Sequence, residues 1–182
     1  MHKLLKQNQK GFTLIEILVV IGIIAVLAAI VIIAINPARQ FAQARNSQRT
    51  SNTNSILNAI GQRIADNKGL FRAAADATCT AAMDLPTTVS TIGVGAANTP
   101  ILGVFIDLRP CLVTTYLPEI PYDPGNGDIF DAPAKAPHVD SAANYNTGYT
   151  VVKDPTTGRV TICAPGGDEN AIADSEEICV TR

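Results

Sequence analysis

One acid sits at the edge of the most apolar stretch of the chain. Glu16 lies four residues after Phe12 and directly before a run, 17–35, that holds no charged or polar side chain. An ionised carboxylate near a bilayer is costly, so such an acid is a functional candidate by default. A positive amine close by would offset the cost, since opposite charges attract strongly at low dielectric. Cys79, Cys111, Cys163 and Cys179 offer disulfide or metal chemistry, and all lie far from the apolar run. The stretch Tyr122-Asp123-Pro124-Gly125-Asn126-Gly127-Asp128-Ile129-Phe130-Asp131 is dense in oxygen atoms. Calcium takes about 6–8 oxygen ligands, and Asp123, Asn126, Asp128 and Asp131 are the candidate set. The same residues also make an ordinary turn sequence.

Catalysis finds no support in the sequence. There is no G-x-S-x-G elbow, no G-x-x-x-x-G-K-[ST] phosphate loop and no H-E-x-x-H. Gly93-x-Gly95 lacks the third glycine and the helix of a dinucleotide site. The two histidines are His2 and His138, and the latter falls in a Pro/Ala-rich loop. The chain is therefore expected to be no enzyme. Charged residues make up 16% and apolar residues 47%, which excludes a disordered polyelectrolyte. A net charge of −2 gives no sign of nucleic-acid binding.

The elements that must position Glu16 come first in the chain. As a helix, the apolar run spans about the ~30 Å hydrocarbon core of a bilayer at ~1.5 Å per residue. A cleaved secretory signal has a shorter apolar region of ~7–15 residues followed by a small-residue cleavage site. A plain membrane anchor fits the length but leaves Glu16 unexplained. Ahead of the run lies a polar leader with Lys3, Lys6 and Lys10, ending in Gly11.

The stretch Lys10-Gly11-Phe12-Thr13-Leu14-Ile15-Glu16 resembles the class III signal of type IV prepilins and pseudopilins, matching that motif at every position. The resemblance covers about 25 residues. It implies that a prepilin peptidase cuts after Gly11 and that Phe12 becomes the N-methylated first residue. It also implies that Glu16 pairs with the Phe12 amine of a neighbouring subunit during assembly. Three arginines (Arg39, Arg45 and Arg49) follow the helix, so basic residues alone do not orient it. The resemblance implies a cytoplasmic N-terminus, an outside head, an assembly platform in the membrane, and a homo-oligomeric or mixed filament. Its leading form is a structural subunit of a type IV pilus. The alternatives are a type II secretion pseudopilin and a membrane-anchored binding domain that never polymerises. A pseudopilin carries a calcium loop after a stretch like Leu117-Pro118-Glu119-Ile120-Pro121-Tyr122-Asp123-Pro124.

This yields four segments: a leader 1–11, a transmembrane or filament-core helix 12–35, a stalk helix 36–69 and a head 70–182. Asn36-Pro37 either kinks one helix or, with Asn36 as cap, starts a second. Ile56, Leu57, Ile60 and Ile64 form an apolar stripe that should face the head, and Gly69 is a stop signal. The portion 43–55 is polar all round and needs a partner surface, which neighbouring stalks in a filament could supply. Segment 37–75 has six basic residues and one acid, while 76–182 has five basic and fourteen acidic. These charges are either solvated faces or complementary surfaces between the stalk of one subunit and the head of another. Short apolar stretches at 87–94, 101–108, 111–117, 149–153, 159–163 and 178–181 read as strands, with a hairpin turn at 154–158. The expected fold is α+β, a long helix packed on a small antiparallel sheet. Outside the cytoplasm the four cysteines suggest disulfides in one of three pairings, or free thiols. Neighbouring C-terminal strands favour Cys163–Cys179, which leaves Cys79–Cys111. Zinc is a poor alternative without C-x-x-C spacing.

Overall fold

The computed structural model describes residues 11–34, 36–73, 76–94, 103–125, 139–141 and 144–182. The chain divides into two units after Ala38. In the first, α1 (Leu14–Ala34) is a helix of 21 residues, and Leu14–Val31 is long and apolar enough to cross a membrane. Its large apolar side chains are exposed on every face. A helix that is apolar all round needs a lipid or protein surround.

The second unit holds all but the first two residues of α2 (Pro37–Asp66). Pro37 occupies the first helical position, where a missing N–H leaves no hydrogen bond unmade. Asn36-Pro37 therefore marks the start of a new helix. At the other end, Gly69 N–H donates to the Ile64 carbonyl at 2.8 Å and Lys68 N–H to the Ala65 carbonyl at 3.3 Å. This pair of bonds is a Schellman ending. Its left-handed residue is Lys68, at φ 58°, one position before the expected glycine stop.

The strands are β1 (Ser90–Val94), β2 (Phe105–Ile106), β3 (Val139–Ser141), β4 (Asn144–Lys153), β5 (Val160–Ala164) and β6 (Ile178–Thr181). Their order across the sheet is β2-β1-β4-β5-β6, and β3 pairs along β4. Five of the expected strand regions are present, shortened in the first two cases. The hairpin between β4 and β5 turns on Asp154, whose Oδ1 accepts the Thr156 N–H at 2.7 Å. The α+β plan holds, with one refinement: β1 and β2 run parallel, so the sheet is mixed.

The expected strand at 111–117 is a correction. Residues Arg109–Leu112 form the short helix α3 instead. Asp107 Oδ1 accepts the Arg109 N–H at 3.0 Å, and Pro110 sits in the first turn. These start signals outweigh the β-branched residues Val113, Thr114 and Thr115. One side of α2 closes over the sheet. Ile56, Leu57, Ala59 and Ile60 are buried in one cluster with Ile92, Leu108, Leu112, Tyr149, Val151 and Ile162.

Lys68 carries the cost of a left-handed backbone that glycine would not. Lys68→Gly should raise stability by about 0.5–1 kcal/mol. A shift of the urea midpoint to higher concentration at unchanged slope checks this.

Candidate functional site

At the N-terminus, Thr13 and Glu16 bond each other reciprocally. Thr13 N–H donates to Glu16 Oε2 at 2.7 Å, and the Thr13 hydroxyl donates to the same oxygen at 2.9 Å. Glu16 N–H donates back to Thr13 Oγ1 at 3.3 Å. This is a capping box, with Thr13 before the first turn of α1 and Glu16 at its third position. The spacing T-x-x-E before an apolar run is its sequence signature, and it marks Thr13 as a site residue that the reading above passed over. The carboxylate lies at the positive end of the helix dipole, which favours an anion. Gly11 and Phe12 precede the helix and are exposed, Phe12 at 85%. Gly11–Glu16 thus brings a carboxylate and an exposed stretch of chain together at the start of a membrane-length helix.

In the second unit the polar half of α2 packs on the chain's own head. Arg49 is 1% exposed. Its Nε and Nη2 donate to Asp123 Oδ2 and Oδ1, both at 2.7 Å, in the paired geometry that guanidinium and carboxylate favour. Its Nη1 donates to Glu169 Oε1 at 2.5 Å and to Asn46 Oδ1 at 2.8 Å. Arg45 holds the same Glu169 through Nε at 2.7 Å and Nη2 at 2.5 Å. Asn46 Nδ2 donates to the Gly167 carbonyl at 3.0 Å, and Asn52 Nδ2 to Tyr149 Oη at 2.9 Å. Two arginines and two carboxylates form a neutral cluster in a buried place. The surface that covers the polar stretch 43–55, expected from a neighbouring stalk, is therefore supplied within the chain.

Two glycines make room for this cluster. A Cβ on Gly125 would lie 2.3 Å from Arg49 Nη2. A Cβ on Gly148 would lie 2.7 Å from Asp123 Cβ, and its φ of +80° also favours glycine. Arg45 and Arg49 hold the Glu169 carboxyl down to about 2, the Arg45 bond being the larger cause. Burial works against the Arg49 charge, and its bonds to Asp123 and Glu169 outweigh that and strengthen it.

A third arginine pins the far end of α2. Arg63 is 5% exposed, and its Nε donates to the Phe71 carbonyl at 2.8 Å. Its Nη1 donates to the Cys111 carbonyl at 2.6 Å, and its Nη2 pairs with Asp76. The Phe71 ring lies 5.4 Å away, within reach of a cation–π contact. Bonds from Thr78 and Cys79, together with Arg63, hold the Asp76 carboxyl well below the ordinary carboxylate range.

Two disulfides are present, Cys79–Cys111 and Cys163–Cys179. Cys163 and Cys179 are direct register partners on β5 and β6, with Cα atoms 4.1 Å apart. Glu177 stands within 4.8 Å of both sulfurs, but bridged sulfurs have no thiolate to offer a metal. Of the calcium candidates, Asp123 is committed to Arg49 through both oxygens and accepts the Gly125 N–H at 2.7 Å. Asn126, Asp128 and Asp131, like His138, lie outside the described residues. A calcium ion at Asp123 would have to displace the guanidinium.

Residues 6–34 match the family described as the prokaryotic N-terminal methylation motif, the hallmark of type IV pilin-like and pseudopilin precursors. No curated protein and no solved structure matches the chain.

Removing Arg49 would leave Asp123 buried without its cation, a loss that typically costs about 3–5 kcal/mol. Arg49→Met should destabilise the protein by that amount in urea denaturation, and adding Asp123→Leu should recover part of the loss. A double variant no more stable than Arg49→Met alone would contradict the pairing energetics.

Glu169 also sets a pH dependence. Its folded pKa is lowered, so its contribution is complete above the ordinary value of 4.5 and fades as pH falls toward about 2. Allowing for solvent screening, about 1–2 kcal/mol should disappear over that window. Glu169→Gln should flatten this part of the stability–pH profile measured by chemical denaturation.

Proposed function

We propose that this chain, which carries the N-terminal methylation motif of type IV pilin-like precursors, is a structural subunit of a type IV pilus. A prepilin peptidase cuts it after Gly11, and Phe12 becomes the methylated N-terminus. Until assembly the subunit is held in the membrane by α1, with its N-terminus in the cytoplasm and its head outside. An assembly platform in the membrane then moves α1 from lipid into the filament core. There the apolar surface of α1 is buried against other copies at ~25 cal/mol per Å2. The match over residues 6–34, with Glu16 at the head of an otherwise uncharged helix, carries this reading.

Glu16 gives the assembly its register. Cleavage turns the Phe12 nitrogen from an amide into an amine, which is positive at neutral pH. A neighbour's Glu16 carboxylate neutralises that charge as the amine enters the apolar core. The pair forms at one axial offset between subunits, and other offsets leave both charges unmatched. The cytoplasmic N-terminus rests on the motif, since Lys3, Lys6 and Lys10 ahead of the helix are balanced by Arg39, Arg45 and Arg49 after it.

Two substitutions separate processing from assembly. Gly11→Val places a side chain at the scissile bond and should leave a precursor of about the full 19.2 kDa in the membrane. N-terminal sequencing that finds cleavage elsewhere would sink the prepilin assignment. Glu16→Ala should still insert and be cleaved, because Ala is easier to bury and Gly11 and Phe12 are intact. It should lose most filaments, since an unpaired buried charge costs about 3–5 kcal/mol. Comparison of mature membrane subunit with sheared filament reads this directly. Wild-type filament yield from Glu16→Ala would rule out the charge pair.

A further inference from the structure

The two disulfides differ in access and in what they hold. Cys79 and Cys111 are 0% and 1% exposed, so a reductant cannot reach their sulfurs in the folded chain. Cys179 is exposed, and it lies on β6, the last strand of the sheet order. The Cys163–Cys179 bridge closes the segment between β5 and β6. That segment carries the groups that meet the first half of α2. Arg45 and Arg49 both bond Glu169, and Asn46 bonds the Gly167 carbonyl.

The segment is shaped around Glu169. Ser175 Oγ accepts the Glu169 N–H at 2.8 Å and donates to the Glu169 carbonyl at 3.0 Å. Ile172 N–H bonds the same carbonyl at 2.8 Å. A Cβ on Gly167 would lie 2.8 Å from the Glu176 carbonyl and from the Ile178 nitrogen, so the outgoing and returning arms touch. None of the main core cluster's buried side chains comes from 165–177. With so little apolar burial, the order of this loop rests on its own polar bonds, on the β5–β6 pairing that brings its ends together and on the disulfide that clasps them.

We propose that Cys163–Cys179 is a redox-sensitive clasp that delivers Glu169 to Arg45 and Arg49, so that its reduction loosens the first half of α2 on the head, leaving Arg49 held by Asp123 alone. A dithiol reductant supplies the chemistry. Its thiolate attacks the exposed Cys179 sulfur, a mixed disulfide forms, and Cys163 leaves as a thiolate that takes a proton. The second thiol of the reagent attacks the mixed disulfide and releases the Cys179 thiol. Two electrons and two protons pass to the protein, and the reagent becomes a cyclic disulfide. The lower half of α2 stays docked through Ile56, Ile60 and Arg63, which depend on other elements.

The test uses the full chain in detergent micelles, without denaturant. Dithiothreitol is added, and thiols are alkylated at intervals and located by mass spectrometry. Cys163 and Cys179 should be alkylated at least ten-fold faster than Cys79 and Cys111. At the stage when only that pair is reduced, hydrogen exchange should speed up at 45–50 of α2 and stay unchanged at 56–63. Equal reduction rates for the two bridges would overturn the proposal. So would unchanged exchange at 45–50 once Cys163–Cys179 is open. Glu169→Gln with the bridge intact should speed exchange at the same residues and leave the reduction order as in wild type. If it leaves exchange at 45–50 unchanged, Glu169 is not the group the clasp delivers. No readout requires filaments, so the outcome is independent of the assembly reading.

Discussion

The second unit depends on neutralising one buried guanidinium. Arg49 stands on a helix face that presses against the head, where water cannot solvate its charge. Burying an unpaired charge costs several kcal/mol, so two carboxylates must arrive together. Asp123 comes from the loop before β3, and Glu169 from the segment between β5 and β6. They are 74 and 120 residues from Arg49 in sequence. The helix, both segments and the glycines that clear their approach are therefore coupled. None of these polar pieces has a reason to be ordered alone.

This coupling explains the division of labour along α2. Its second half is held by the hydrophobic effect, through Ile56, Leu57 and Ile60. Its first half has no comparable apolar stripe and is held by ion pairs and amide bonds. The charge asymmetry between stalk and head is thus used inside one chain. Between Arg39 and Asp66, the exposed side chains of α2 carry no charge, since Arg45, Arg49 and Arg63 all turn toward the head. Whatever packs on that outer face meets glutamine, serine, threonine, asparagine and alanine with the exposed ring of Phe41, for which long-range charge complementarity has no role.

Periodicity and local chemistry made much of this legible in the sequence. The apolar run, the Ile56–Ile60 stripe and the hairpin around Asp154 all arise from interactions within a few residues. The cysteines of β5 and β6 were readable for the same reason, because a hairpin-like return places them side by side. The partner of the polar stretch was not readable, since an arginine and a carboxylate 120 residues apart leave no period. Asp123 was ambiguous for a chemical reason: an oxygen-rich turn suits a guanidinium as well as a calcium ion, both being cations. Residues 111–117 misled through the β-branched Val113, Thr114 and Thr115, whose preference gave way to the turn that Asp107 Oδ1 makes with the Arg109 N–H and to Pro110. Lys68 took the left-handed position because the helix end is fixed by where α2 leaves the core.

The capping box changes how Glu16 should be understood energetically. A bare carboxylate beside a membrane helix would be a liability in the free subunit. Here Thr13 gives it two donors, and the helix dipole adds a favourable field. The carboxylate of Glu16 is thus already satisfied within its own chain. On the filament reading, pairing with a neighbour's amine is then an exchange of one satisfied state for another, and its net gain is smaller than that of uniting two bare charges. The amine gains most, because it has no donor-rich cap of its own and enters an apolar core. On the same reading, register rests on the penalty for stranding that amine, while the Thr13 bonds satisfy the carboxylate in the single chain.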